Sequence, residues 1–331
     1  MKLATLKSDT RWGRLVVVSR DLSRAVDAHR IAPTLQHVLE HWEDCAPQLQ
    51  TLFESLQNNQ ASGAFKFDPA QAMAPLPRAY QFVDASAFLN HGAIMQLAFN
   101  LKIDVPEGVP ILIQRQGDDF RGPCDDYAFP DEADNCDFEG EIGVITADIP
   151  MGATPAECER GIRLFTLFND VSMRTHLSRE MAMGFGFIQA KPATVFAPVA
   201  VTMDELGDAW QQGRVTLDLQ VSRNEQWFGH PNGREMDFSF GELLSHLAYN
   251  RNLGAGTLLG SGTFSNRDHA EVGSSCLAER RALEVITHGK PQTPFLNFGE
   301  RLRFEMLDSD AVSVFGAIDN RYVAPGASEG F

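Results

Sequence analysis

Apolar residues recur along the chain in two rhythms, and each rhythm predicts a different kind of element. Leu15-Val-Val-Val18 is a short unbroken apolar run, the mark of a buried strand. Leu35, Val38, Leu39 and Trp42 then fall at i, i+3, i+4 and i+7, one face of a helix. Leu49, Leu52, Phe53 and Leu56 repeat that spacing beyond Pro47, which allows two helices or one kinked helix. Asn58-Asn-Gln-Ala-Ser-Gly63 reads as a linker, and Pro69, Pro75 and Pro77 keep the next stretch extended. A domain boundary is therefore expected near residue 75, separating residues 1–75 from a larger unit at 76–331.

Beyond that boundary strands dominate. Val215, Leu217, Leu219 and Val221 alternate with polar partners and predict one half-buried strand. Leu302, Phe304 and Met306 do the same before a turn at Asp308-Ser-Asp310, with Val312 and Val314 expected on the return. Ile162 to Asp170 is almost wholly apolar, a strand buried on both faces. Thr154-Pro-Ala-Glu157 and Ser239-Phe-Gly-Glu242 are capping-box patterns, the second leading into Leu243, Leu244 and Leu247. This is not a regular β-α-β alternation, which disfavours a doubly wound sheet.

One stretch joins pattern to chemistry. Asp137-Phe-Glu-Gly-Glu-Ile-Gly-Val-Ile145 predicts a strand that places Glu139 and Glu141 on one face. Two like charges side by side cost energy unless a cation or a proton sits between them. Taken alone, the pair also fits a solvated strand face, and Asp170 at its strand end also fits a turn cap. An all-oxygen ligand set suits Mg²⁺, Mn²⁺ or Ca²⁺, whereas zinc would more often recruit His or Cys.

Composition narrows the function classes. A formal net charge of −16 argues against nucleic acid and against anionic membranes. No apolar run approaches the ~20 residues of a membrane span, and the first residues have no apolar core of a secretory signal. Cys45, Cys124, Cys136, Cys158 and Cys276 are scattered, with no C-x-x-C pair, as a reducing cytoplasm permits. A cytoplasmic protein acting on small molecules is expected.

Five segments, in order, resemble the fumarylacetoacetate hydrolase family. They are Val83-Asp-Ala-Ser-Ala-Phe-Leu-Asn-His91, Glu139-Gly-Glu141, Asn169-Asp-Val-Ser-Met-Arg174, Gln189-Ala-Lys-Pro-Ala-Thr194, and Leu259-Gly-Ser-Gly-Thr-Phe-Ser265 followed by Ser275-Cys-Leu-Ala-Glu279. The resemblance implies an α+β, mostly β fold: a mixed β-sandwich roll bearing the site, preceded by a small α+β domain. It implies Asp84, Glu139, Glu141 and Asp170 as ligands of one divalent cation, with Mg²⁺ favoured. It implies His91 as the base that activates water, oriented by Glu279, and Arg174 and Lys191 as stabilisers of negative charge.

The implied reaction is hydrolysis of a C–C bond in a fumarylacetoacetate- or acylpyruvate-like diketo acid, as in aromatic amino acid catabolism, by a homodimer. Such a reaction needs a Lewis acid for the departing enolate, a base for water and a cation near the oxyanion. Decarboxylation, isomerisation or hydration of related keto-enol acids is the alternative on the same site. A non-catalytic metal-binding descendant is a further one, because the substrate-contacting positions depart from the family pattern at Ile113-Gln114, Gln96, Asn100 and Leu177. Gly260-Ser-Gly262 lacks the strand–Ser–helix setting of a serine hydrolase. The acidic stretch around Asp118, Asp119, Asp125 and Asp126 reads as a solvated turn.

Overall fold

The computed structural model describes residues 1–100 and 105–327. One eleven-stranded sheet organises it. From one edge the strands are Phe65–Lys66, Arg24–Asp27, Arg14–Val18, Lys2–Leu6, Ala200–Val201, Ile162–Asn169, Gly140–Thr146, Leu258–Gly260, Phe82–Ala85 and Leu112–Arg115. Val195–Phe196 pairs with the far end of Ile162–Asn169. Along this order neighbours are antiparallel except Leu258–Gly260 and Phe82–Ala85, which run parallel. The N-terminal strands thus continue the sheet of the later chain, joined where Lys2 meets Val201. A separate five-stranded sheet holds Leu219–Arg223, Arg301–Met306 and Ile318–Val323 at its centre.

Both faces of the large sheet are covered, which is why its strands read as continuous apolar runs rather than alternations. Leu15, Val17, Leu164 and Phe168 pack in one core with Leu35, Val38, Leu49 and Phe53 of the N-terminal helices. Val16, Val18, Phe165 and Leu167 pack in the other with Leu219, Val221, Leu302 and Phe304 of the five-stranded sheet. Each such side chain contributes roughly 1.5–3 kcal/mol on full burial. The result is the α+β architecture expected from the sequence.

Three local expectations change. The helical segment divides at His41, into Leu35–Glu40 and Trp42–Gln57, and Pro47 lies inside the second helix. Its missing N–H spares only the Glu43 carbonyl, on an exposed residue that water can reach. Val215 to Val221 is two strands rather than one: Arg214–Val215 pairs with Trp210–Gln211, and Leu219–Arg223 joins the five-stranded sheet. Val312 and Val314 do not form the return strand. A single bridge, Leu307 to Ser313, closes that turn, and Ile318–Val323 pairs with Arg301–Met306 instead. Both capping boxes form, at Thr154 and Ser239.

Candidate active site

Neighbouring strands gather the carboxylates. Asp84 lies on Phe82–Ala85, opposite Gly260, and Glu141 lies on Gly140–Thr146, opposite Phe168. Asp170 directly follows Ile162–Asn169. One oxygen from each of Asp84, Glu141 and Asp170 lies within 4.8 Å of the others, and all three residues are buried. A Cβ on Gly260 would come 2.4 Å from Asp84 Oδ1 and 3.1 Å from Glu141 Oε2, so only glycine keeps this cradle open. Asp84 Oδ1 and Glu141 Oε1 are buried without a hydrogen-bond partner. Orphaned carboxylate oxygens converging on one small space are the donor set of a hard divalent cation.

The electrostatics divide the carboxylates into two kinds. Burial, then the Asp170 charge, pushes the Asp84 carboxyl up to about 7. Burial, then Asp84, raises Glu141 well above the usual carboxylate range. Glu139 behaves in the opposite way. Burial opposes its ionisation, but Lys191 and Arg174 overcome this and hold it well below that range. Lys191 Nζ donates to Glu139 Oε2 and to Asp170 Oδ2, each at 2.6 Å. Arg174 donates to Glu139 Oε1 at 2.5 Å and to Asp137 Oδ2 at 2.8 Å.

Glu139 precedes the Gly140–Thr146 strand, makes an isolated bridge to Cys276, and lies outside the close group of three. Both of its oxygens are taken by cations. The structure therefore places the Glu139–Glu141 pair side by side in sequence but in different electrostatic company. Asp84, Asp137, Glu139, Glu141 and Asp170, set against Arg115, Arg174 and Lys191, leave two negative charges when all are ionised. One divalent cation would cancel them.

The sequence reading assigns no role to three members of this network. Arg115 donates to Asp170 through Nε at 3.0 Å and also through Nη2. Its only sequence signal is a charge ending the run Leu112-Ile-Gln-Arg115. Glu180 accepts backbone N–H groups of Ile188, Gln189 and Ala190 and so shapes the turn that presents Lys191. Asp137 is wholly buried and accepts from Leu277 N at 2.7 Å and Ala278 N at 2.9 Å.

His91 lies on the helix Leu89–Phe99, whose first N–H donates to Asp237 Oδ2 at 2.7 Å. Its Nδ1 is 2.8 Å from Glu279 Oε2. Glu279 is wholly buried at the start of the helix Leu277–His288, so it is not part of a solvated charge run. With the Nδ1 proton given to Glu279, Nε2 keeps a lone pair for a substrate proton. Gln96 and Leu177 are half-buried and Asn100 is exposed. Asp118 and Asp126 pair with the exposed side chains of Arg78 and Arg321, as a solvated turn requires.

Comparison with known proteins agrees with this fold. Residues 1–78 match the fumarylacetoacetase N-terminal domain 2 family, and residues 81–323 match the fumarylacetoacetate (FAA) hydrolase C-terminal family. A 2,4-didehydro-3-deoxy-L-rhamnonate hydrolase from Sphingomonas sp. (strain SKA58) is 26% identical over 157 residues, 46% of this chain. The chain spans about half the length of that curated relative, 52%. A maleylpyruvate hydrolase from Sphingobium sp. SYK-6, solved in complex with manganese (II) ion and pyruvate, superimposes with a TM-score of 0.66 at 15% identity, covering 98% of this chain and 99% of that one. A 2-hydroxyhepta-2,4-diene-1,7-dioate isomerase from Mycobacterium marinum superimposes with a TM-score of 0.60 at 15% identity, covering 98% and 99%. At these identities the two structures establish the fold.

Proposed function

Because the chain belongs to the fumarylacetoacetate hydrolase family, whose members are hydrolases or isomerases, we propose that it hydrolyses a C–C bond in a small β-diketo acid, fumarylacetoacetate- or acylpyruvate-like. The observation that carries this reading is the His91–Glu279 pair, because isomerisation on a carboxylate cage does not need a base for water and hydrolysis does. Asp84, Glu141 and Asp170 would hold the cation, with Glu139 beside them. Mg²⁺ is the proposed ion, and Mn²⁺, which accompanies the maleylpyruvate hydrolase, is its closest substitute. When bound, the cation supplies Lewis acidity toward the substrate's chelating oxygens.

The chain's own residues do the rest. Glu279 holds the imidazole by its Nδ1 proton, so that Nε2 accepts the proton of an attacking water. Lys191 and Arg174 fix Glu139 and Asp170 in place, and their charge acts where negative charge develops on the substrate. The isomerase among the structural relatives supports a second reading, in which the same cage only moves a proton. His91→Ala separates the two. It is expected to lower hydrolysis of an acylpyruvate by about 10²–10⁴-fold while leaving Mn²⁺ binding and any tautomerisation intact. Hydrolysis surviving that change would show that His91 is not the base.

A further inference from the structure

Arg115 ends the strand Leu112–Arg115 and stands opposite Phe82, on the sheet face that also carries Asp84. Its guanidinium lies over the Phe82 ring, 5.7 Å from the centroid. Its side chain is only 1% exposed. What it reaches is the Asp170 carboxylate, chiefly at one oxygen. Nε donates to Oδ1 at 3.0 Å and more weakly to Oδ2 at 3.3 Å, and Nη2 pairs with Oδ1. Thr194 Oγ1 adds a contact to Oδ1 at 3.4 Å, and Nη1 anchors the fork on the Lys191 carbonyl at 2.9 Å. Oδ1 is thus engaged by the Arg115 fork and Thr194, while Oδ2 accepts chiefly from Lys191. Glu139 is clamped in the same manner, with Arg174 on Oε1 and Lys191 on Oε2. Asp84 Oδ1 and Glu141 Oε1 are buried and accept no hydrogen bond.

We propose that Arg115 determines which cation the cage accepts: by occupying Asp170 Oδ1 it forbids bidentate ligation there and selects a small six-coordinate ion over Ca²⁺. Ca²⁺ takes about six to eight oxygens and commonly draws both from one carboxylate, whereas Mg²⁺ and Mn²⁺ accept a few single carboxylate oxygens and complete the octahedron with water or substrate. The guanidinium fork suits this task because its planar geometry holds one carboxylate edge in a fixed orientation, which an ammonium does not. This inference rests on the divalent-cation site proposed above.

The charge of Arg115 alone would weaken all divalent ions together. The ratio of affinities isolates the geometry. The experiment is titration of metal-free full-length protein with Mn²⁺, followed by electron paramagnetic resonance, with Ca²⁺ and Mg²⁺ as competitors, for the wild type, Arg115→Lys and Arg115→Met. The wild type is expected to prefer Mn²⁺ and Mg²⁺ over Ca²⁺, and both variants to shift the Ca²⁺/Mn²⁺ affinity ratio toward Ca²⁺ by about tenfold or more. Arg115→Lys keeps the buried charge, so it reports even if Arg115→Met does not fold. An unchanged ratio in the folded variants, or a wild type that already prefers Ca²⁺, overturns the inference while leaving the site standing. Failure of the wild type to bind Mn²⁺ at all overturns both.

Discussion

Asp84, Glu139 and Glu141 are chemically similar acids in one small volume, yet their neighbours drive them in opposite directions. Lys191 and Arg174 favour the ionised form of Glu139, while burial and neighbouring carboxylates push Asp84 and Glu141 toward the protonated form. For Asp84 the folded value, about 7, lies above the ~3.9 of an unfolded chain. Its contribution to stability is therefore fully present below pH ~4 and is lost as pH rises toward 7. A bound divalent cation replaces the proton and restores that stability where it has been lost. Saturating Mg²⁺ or Mn²⁺ should thus raise the melting temperature of metal-free protein more at pH 8 than at pH 5.5, by differential scanning calorimetry. An equal rise at both pH values would contradict the proton-for-metal exchange. The like-charge problem at Glu139 and Glu141 is legible from their spacing alone. Which of the two is neutralised is not, because the answer depends on Lys191 and Arg174, brought in by later segments.

At the scale of elements, the helix Leu277–His288 has to deliver Glu279 to His91, and its N-terminus has backbone N–H groups with no partner inside the helix. Asp137 accepts two of them and also binds Arg174, so one buried carboxylate ties the base's orienting helix to the cation that holds Glu139. Asp137→Asn puts an amide donor against these donors. It should cost about 3 kcal/mol in denaturant unfolding and lower hydrolysis with it; unchanged stability would show that the tie is dispensable. Local devices of this kind differ in how well the sequence reports them. The capping boxes at Thr154 and Ser239 lie within four residues and were legible in full. The Asp137 cap spans 140 residues or more, and Glu279 beside Arg280 and Arg281 mimics a solvated run until the helix faces it inward.

Across the whole molecule, the site stands where strands from distant parts of the chain become neighbours in one sheet. Gly260 pairs with Asp84 on one side and with Gly143 on the other, and Asn169 pairs with Gly140. The apolar runs that mark these strands are visible in the sequence, but strand order is not, because sheet neighbours are chosen by packing on both faces rather than by proximity in the chain. The resemblance of five ordered segments supplied what periodicity could not, namely that Asp84, Glu141 and Asp170 converge. It did not supply Arg115, which lies outside those five segments. The central claim, that this convergence serves metal-dependent C–C bond hydrolysis, is tested most directly by assaying a panel of acylpyruvates and other β-diketo acids with Mg²⁺ or Mn²⁺, with and without chelator. At least one member should be cleaved, with activity lost to the chelator and regained on adding metal; cleavage indifferent to the chelator, or metal binding with no cleavage of any member, would contradict it.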